Sequence, residues 1–262
     1  MSELQALRTM RTHGIIIRPT DPLFSVNACQ GGYQVAKGFE MELKLQTCRE
    51  APRVLLADDH AIVRDGLRVI LKEQGFEIVG EASDGLETVR LCIELRPHVV
   101  ALDLSMPLLN GLDTARQILK TSPETKIVVL TMHNNERYVL AALRVGVVGY
   151  VLKSQAASCL VQAIQAARRG EVYLSPGVSR VVADAYVSKN DAPPDPLSLR
   201  ERQVVQLIAE GKNVKEIGFI LGISAKTAES HRTNLMEELR IHDVAGLTRY
   251  AIREGLVALE QL

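Results

Sequence analysis

The sequence predicts an α/β protein in which a doubly wound, five-stranded parallel sheet is followed by an all-α domain. Between residues 53 and 170, short and nearly continuous aliphatic runs alternate with longer stretches of helical period. This alternation is typical of buried parallel strands that are joined by helices. After Gly170 we expect the strands to stop, because only amphipathic stretches follow. A chain of 262 residues is long enough for two compact domains.

Five strand–helix units in series make up the first domain. The predicted strands are Val54–Ala57, Glu77–Gly80, Val99–Leu102, Ile127–Leu130 and Tyr150–Leu152. The predicted helices are residues 61–74, 85–95, 111–121, 136–145 and 156–169. Because strands and helices alternate throughout, we expect a parallel sheet with helices on both faces.

The predicted organisation has four parts. They are an N-terminal extension at 1–52, a sheet domain at 53–170, a helix and linker at 171–196, and a helical domain at 197–262. We interpret the extension as poorly ordered, and a further hypothesis is that translation begins at Met41, shortly before the first strand. The linker is polar and rich in proline, which is typical of a solvated tether.

Composition excludes several classes of protein. Hydrophobic residues at 47% and charged residues at 24% are globular values, which excludes a largely disordered or collagenous chain. Lys plus Arg and Asp plus Glu each number 31. This balance excludes a protein that binds nucleic acid through a surface that is basic throughout. The four cysteines lack the spacing of a zinc site and indicate reduced thiols. Without a long apolar run or a signal peptide, we expect a cytoplasmic protein that does not associate with membranes.

Polar side chains follow the predicted strands at the edge of the sheet where their carboxyl ends meet. Asp58 and Asp59 follow the first strand, Asp103 the third, Thr131 the fourth and Lys153 the fifth. Taken singly, each has an ordinary explanation as a helix cap or a solvated charge. Taken together, three converging carboxylates repel one another and require a cation, and their oxygens suit Mg²⁺.

This set of groups fits phosphoryl transfer to an aspartate. A carboxylate that attacks phosphorus gives an acyl phosphate, while a metal ion, an ammonium and a hydroxyl neutralise the transferred oxygens. Asp103 is the natural nucleophile because it ends a central strand. Lys153 supplies the ammonium and Thr131 the hydroxyl.

These residues resemble the receiver domain of a bacterial two-component response regulator over about residues 53–170. The motifs that carry the resemblance are Asp58-Asp59, Asp103 with Met106-Pro107 and Gly111, Thr131, and Gly149–Lys153. The resemblance implies a flavodoxin-like fold in which Asp103 is the phosphoacceptor. It also implies that Mg²⁺ is bound by Asp58, Asp59, Asp103 and the backbone carbonyl of Ser105.

The same resemblance implies that Thr131 and Tyr150 form a switch pair. A phosphoryl group is expected to draw the Thr131 hydroxyl toward itself, which vacates space into which the Tyr150 ring turns. We expect this movement to change the surface of the fourth strand and its helix.

A phosphatase of the haloacid dehalogenase type is an alternative from another functional class. Those enzymes also use a strand-end aspartate with Mg²⁺, but the nucleophile lies two residues before a second aspartate, after the first strand. Here Asp58 and Asp59 are adjacent, and Asp103 is followed by Leu104-Ser105-Met106. We therefore expect phosphatase activity only on the chain's own acyl phosphate.

Residues 197–262 have the pattern of a helix-turn-helix. Ser198-Leu199-Arg200-Glu201 has the form of a capping box at a helix start. A tight turn is predicted at Gly222-Ile223-Ser224, between two short helices. Ala228, His231 and Leu235 share one face of the second of these helices and are expected to pack inward.

This segment resembles the DNA-binding domain of LuxR/NarL-type regulators. The resemblance rests on Leu197–Arg202, Ile208–Lys212, Lys215–Ile217, Ile223-Ser224, Lys226-Thr227, Glu229, His231-Arg232 and Leu239. It implies a recognition helix that begins after Ser224. We expect Lys226, Thr227 and Arg232 to contact phosphates, and Glu229, Ser230 and Thr233 to face bases.

The whole pattern implies a DNA-binding response regulator of the NarL/FixJ group, which is not an enzyme. A sensor histidine kinase is expected to phosphorylate Asp103, which controls sequence-specific binding to double-stranded DNA. Residues 197–262 hold nine basic and nine acidic residues, so one domain should bind weakly and a homodimer is expected. Constitutive DNA binding is an alternative; a small-molecule-sensing LuxR regulator is disfavoured because the receiver occupies the place of a ligand domain.

Overall fold

The computed structural model describes residues 51–133, 136–180, 182 and 197–258. Residues 1–50 of the expected N-terminal extension at 1–52, and with them the expected start at Met41, lie outside this range. The proline-rich linker also lies outside it, as does the later part of the short helix predicted before the linker. Residues 176–180 and 182 of that helix are described and are helical.

The sheet domain, defined here as β1 to β6, alternates strands and helices as predicted. The strands are β1 (Arg53–Ala57), β2 (Glu77–Ala82), β3 (Val99–Leu102), β4 (Lys126–Thr131), β5 (Gly149–Leu152) and β6 (Tyr173–Leu174). The helices are α1 (Ala61–Glu73), α2 (Gly85–Leu95), α3 (Gly111–Thr121), α4 (Glu136–Val145) and α5 (Ala156–Arg168). The five predicted helices are confirmed to within one residue at each end.

The strands form one parallel sheet in the order β2-β1-β3-β4-β5-β6. The prediction of five strands is wrong by one, because Tyr173 and Leu174 pair with Gly149 and Tyr150 at the edge of the sheet. A strand of two residues is too short to show a periodic pattern, so the sequence gives no signal for it. Its pairing includes a bond from the Tyr173 amide to the Val148 carbonyl, at 2.9 Å.

The sheet is covered on both faces, as a doubly wound fold requires. One hydrophobic cluster joins the sheet to α2, α3 and α4, with Cys92, Ile118 and Val139 fully buried. The other joins it to α1 and α5 through Leu71 and Ile164. The chain reverses its winding direction between β1 and β3, so a crevice opens at their carboxyl ends, where ligands bind in such sheets.

The helical domain, defined here as α6 to α9, has its own apolar core. Its helices are α6 (Leu199–Ala209), α7 (Val214–Leu221), α8 (Ala225–Glu238) and α9 (Val244–Glu254). The predicted capping box is confirmed: the Ser198 hydroxyl accepts from the Glu201 amide, and the Glu201 carboxylate accepts from the Ser198 amide. None of the helices in the described part of the chain is long and apolar enough to cross a membrane.

The turn between α7 and α8 is set by a glycine and a serine. Gly222 ends α7 in the left-handed region, with φ of +64°, which costs glycine little because it has no Cβ. Ser224 then caps α8 by accepting from the Thr227 amide. These two residues give the helix-turn-helix geometry that the sequence predicts.

Candidate functional site

Two nearly fully buried carboxylates meet at the carboxyl edge of the sheet. Asp58 follows β1 and Asp103 follows β3, and these strands are neighbours. Each residue is 2% exposed. Lys153 follows β5, and its Nζ lies 2.8 Å from Oδ2 of Asp58 and 2.8 Å from Oδ2 of Asp103. One ammonium therefore bridges both carboxylates and offsets their mutual repulsion.

The acidic residues also have the spacing of a cation site. Oxygens of Asp58, Asp59 and Asp103 and a ring nitrogen of His60 lie within 4.8 Å of one another. Three carboxylates are a donor set that suits a hard divalent cation such as Mg²⁺. Sequence reasoning missed His60, whose Nδ1 lies 2.7 Å from Asp59 Oδ1.

Burial and the ion pairs act in opposite directions on the titration of this site. Burial raises the pKa of Asp103 from its usual 3.8 to about 6, despite the opposing attraction of Lys153. Burial alone would lower the pKa of Lys153, but the charge and hydrogen bonds of Asp103 and Asp58 outweigh it and raise that pKa. Both groups therefore remain charged near neutral pH.

A glycine lets α3 approach the phosphoacceptor candidate closely. A Cβ atom built on Gly111 would lie 2.1 Å from the backbone oxygen of Asp103. The Gly111 amide donates to the Leu104 carbonyl at 2.9 Å, which closes the loop after β3. The loop from Leu104 to Asn110 is thus held against Asp103 at both of its ends.

The two residues of the expected switch pair share a partner, His133. The His133 amide donates to Thr131 Oγ1 at 3.2 Å, and the Tyr150 hydroxyl donates to the His133 carbonyl at 2.8 Å. Both Thr131 and Tyr150 are fully buried, and burial raises the pKa of Tyr150. The Tyr150 ring is already buried in this structure, which shows no second position for it. The switch role of Thr131 and Tyr150 stays a prediction.

The predicted DNA-facing residues are available on the surface of α8. Five are exposed, namely Lys226, Thr227, Glu229, Ser230 and Thr233. Arg232 is half-buried and lies 3.8 Å from the Glu229 carboxylate. Ala228 and Leu235 are buried and His231 is half-buried, which confirms the inward face that the sequence predicts.

The helical domain contacts the loop that follows the phosphoacceptor candidate. The Gln206 amide nitrogen donates to the Met106 carbonyl at 3.0 Å, and its oxygen accepts from the Asn110 amide at 2.8 Å. The Glu210 carboxylate accepts from the Leu108 amide at 3.1 Å. Sequence reasoning missed these residues, because a glutamine and a glutamate on an amphipathic helix look like ordinary surface residues.

A buried ion pair joins α6 to α3. Arg202 on α6 is 7% exposed, Asp113 on α3 is fully buried, and their side chains approach to 2.8 Å. Arg202 also donates to the Leu197 carbonyl at 2.7 Å, and Arg116 forms a second ion pair with Asp113. These contacts leave the exposed face of α8, the expected recognition helix, uncovered.

Two known families match successive parts of the chain. Residues 54–165 match the response regulator receiver domain, and residues 195–251 match the bacterial regulatory proteins of the luxR family. The two matches correspond to the sheet domain and the helical domain. They occur in the order that the strand-end aspartates and the helix-turn-helix predict.

Individual relatives extend over both domains. The transcriptional regulatory protein LiaR of Bacillus subtilis is 40% identical over 78% of this chain and 99% of its own length. The transcriptional regulatory protein MctR of Rhizobium johnstonii is 36% identical over 81% of this chain and 98% of its own length. A solved LuxR-family response regulator from Aurantimonas is 37% identical, with a TM-score of 0.50 over 53% of this chain and 99% of that one.

The raised pKa of Asp103 predicts how its substitution changes stability with pH. Burial disfavours the charged form of Asp103 in the folded protein. The protonated form therefore adds to the free energy of unfolding fully below pH 3.8, and this stabilisation is lost as pH rises through about 6. Asp103→Asn removes this charge. In EDTA, we expect the variant to gain stability over wild type between these pH values, on the order of 2 kcal/mol. Urea unfolding from pH 4.5 to 7.5 measures it, and a pH-independent difference would contradict it.

The buried Arg202–Asp113 pair predicts a large loss of stability when it is broken. Arg202→Met leaves the fully buried Asp113 without its interdomain partner, and we expect a loss on the order of 3 kcal/mol. Arg90→Met is the matched control, because its pair with Glu94 is 61% exposed on both sides and should contribute less than about 0.5 kcal/mol. Urea unfolding of both variants tests this, and equal effects would show that burial does not distinguish the pairs.

Proposed function

Because the chain belongs to the bacterial response regulators that carry a LuxR-type DNA-binding domain, we propose that a phosphoryl group on Asp103 controls its binding to double-stranded DNA. The observation that carries the proposal is the pair of buried carboxylates, Asp58 and Asp103, bridged by Lys153 at 2.8 Å from each. A sensor histidine kinase is the proposed phosphodonor. The chain then acts as a regulator of transcription in the cytoplasm, not as an enzyme with an external substrate.

The proposed chemistry begins with the Asp103 carboxylate. One of its oxygens attacks phosphorus, the bond from phosphorus to the histidine nitrogen of the kinase breaks, and an acyl phosphate forms. Lys153 lies beside the attacking carboxylate and is placed to neutralise charge on the transferred oxygens. The buried hydroxyl of Thr131 is proposed to donate to the same group.

The proposed metal ligands are Asp58, Asp59, Asp103 and the backbone carbonyl of Ser105. Support comes from the oxygens of the three aspartates, which lie within 4.8 Å of one another. Mg²⁺ bound there supplies positive charge that offsets the negative charge of the phosphoryl oxygens. Asp59 is the most accessible of the three carboxylates, with its side chain 21% exposed.

The proposed DNA contacts lie on α8. Lys226, Thr227 and Arg232 would bind backbone phosphates and fix the position of the helix, whereas Glu229, Ser230 and Thr233 would meet base edges. Exposure of five of these six side chains supports this assignment.

A homodimer is the proposed DNA-binding form, since two weak domains on paired half-sites bind more tightly than one. Apolar side chains on α1 support self-association. Ile62 is 87% exposed and Val69 is 53% exposed. A second copy that covered this surface would bury apolar area, which favours association.

Incubation with Mg²⁺ and a small phosphodonor such as acetyl phosphate tests the proposed chemistry. We expect one adduct of about 80 Da by intact-mass spectrometry, lost in Asp103→Asn and strongly slowed in Asp59→Asn or by EDTA. Asp65→Asn, which changes an exposed carboxylate on α1, is the matched control and should react like wild type. Light scattering of the same samples should show a shift toward dimer. A folded wild-type protein without the adduct would contradict the proposal.

A further inference from the structure

We propose that His133 couples the phosphorylation site to the helical domain. Its ring bonds to Ser105 on one side and stacks on Tyr138 on the other, and Tyr138 packs against the end of α9. The inference rests on the proposed function, because it concerns how phosphorylation of Asp103 reaches the DNA-binding part of the chain. It adds a positioning residue that neither the motifs nor the family matches identify.

The backbone of His133 is tied to both switch residues. Its amide donates to Thr131 Oγ1 at 3.2 Å, and its carbonyl accepts from the Tyr150 hydroxyl at 2.8 Å. A Thr131 hydroxyl that turns toward a phosphoryl group gives up its bond to the His133 amide. His133 is therefore the first residue outside the site whose contacts must change.

The His133 side chain makes a second connection to the site. Its Nε2 lies 3.0 Å from Oγ of Ser105, which is two residues after Asp103 in the loop that follows β3. The ring is thus held from two directions, by the backbone after β4 and by the loop after β3. Movement of either segment displaces the ring.

The other face of the His133 ring leads to the helical domain. It stacks on Tyr138 of α4, with the ring centroids 4.5 Å apart and the planes 14° apart. A Cβ atom built on Gly255 would lie 2.1 Å from the Tyr138 hydroxyl oxygen, so Tyr138 occupies the space that a side chain would need there. Gly255 ends α9 in the left-handed region, with φ of +73°.

Neighbouring contacts also join α4 to the end of α9. Arg137 donates to the Arg253 carbonyl at 3.0 Å and forms an ion pair with Glu254. The path from Asp103 to α9 is therefore continuous: Ser105, His133, Tyr138 and Gly255 each contact the next. Both rings are half-buried, and their stacking joins the segment after β4 to the end of α9.

Two single variants test this path. His133→Phe keeps an aromatic ring to stack on Tyr138 but removes the hydrogen bond to Ser105. Ser105→Ala removes the other partner of that bond and keeps the backbone carbonyl. His98→Phe is the matched control, because it also removes a hydrogen bond of a histidine ring, here the one donated by the Arg53 amide at 3.1 Å, at the end of β3 away from Asp103.

DNA affinity and amide hydrogen exchange are measured on the full chain. All variants are compared at the same fraction of phosphorylated protein, which intact-mass spectrometry determines. We expect His133→Phe and Ser105→Ala to reduce the phosphorylation-dependent gain in DNA affinity by roughly fivefold or more. For His133→Phe, whose residue lies outside the proposed metal and phosphoryl ligands, the affinity of the unphosphorylated form should stay close to wild type. Phosphorylation should also change amide hydrogen exchange at residues 250–256 in wild type and in the control, and this change should be lost in both variants. The double variant should be no worse than either single variant, since both remove one interaction.

Three outcomes would overturn the inference. A gain in affinity and an exchange response like those of wild type would show that the path is not used. A variant that folds but takes up no phosphoryl group would place His133 in the phosphorylation chemistry itself. A wild-type protein that is phosphorylated without any gain in DNA affinity would contradict the proposed function, and this inference with it.

Discussion

The double ion pair of Lys153 is the interaction on which the site depends. Asp58 and Asp103 are each 2% exposed. Two carboxylates at such short separation repel each other strongly when they are removed from water. A single ammonium at 2.8 Å from both makes their burial tolerable. Even so, burial keeps the pKa of Asp103 near 6, which leaves a carboxylate that is charged at neutral pH and weakly solvated. Such a group is a better nucleophile than an exposed aspartate.

The fold brings this cluster together and connects it to the rest of the chain. The order β2-β1-β3-β4-β5-β6 makes β1 and β3 neighbours, so their terminal aspartates meet at the crevice. The loop after β3 then serves two purposes. It carries Ser105 beside the site, and its Met106 carbonyl and Asn110 amide bind Gln206 of α6. A change at Asp103 therefore acts on a segment that the helical domain already contacts.

Much of the fold and the site could be predicted from the sequence because local signals were strong. Continuous aliphatic runs marked the strands, and the polar residues that end them marked the site. The capping box at Ser198 and the glycine turn at Gly222 marked the helices of the second domain. Each of these signals is local, since it depends on residues adjacent in sequence.

The missed features depend on residues that are distant in sequence. The β6 strand has only two residues and is defined by its pairing with β5, so it has no periodic pattern in the sequence. Gln206 and Arg202 gain their roles only from contacts with residues about ninety to a hundred positions away. His133 lies next to the predicted switch, but its stacking on Tyr138 becomes visible only when α4 is placed. Contacts between residues that are distant in sequence cannot be recognised from composition or from the spacing of neighbouring residues.

The affinity for DNA before and after phosphorylation is the decisive measurement. A duplex selected from random sequence by the phosphorylated protein is titrated at one fixed salt concentration, because phosphate contacts make affinity depend on salt. We expect phosphorylation to tighten DNA binding by the wild-type protein by roughly tenfold or more, and Asp103→Asn not to respond to the phosphodonor. Equal affinity of the two forms of wild type, at full phosphorylation, would contradict it.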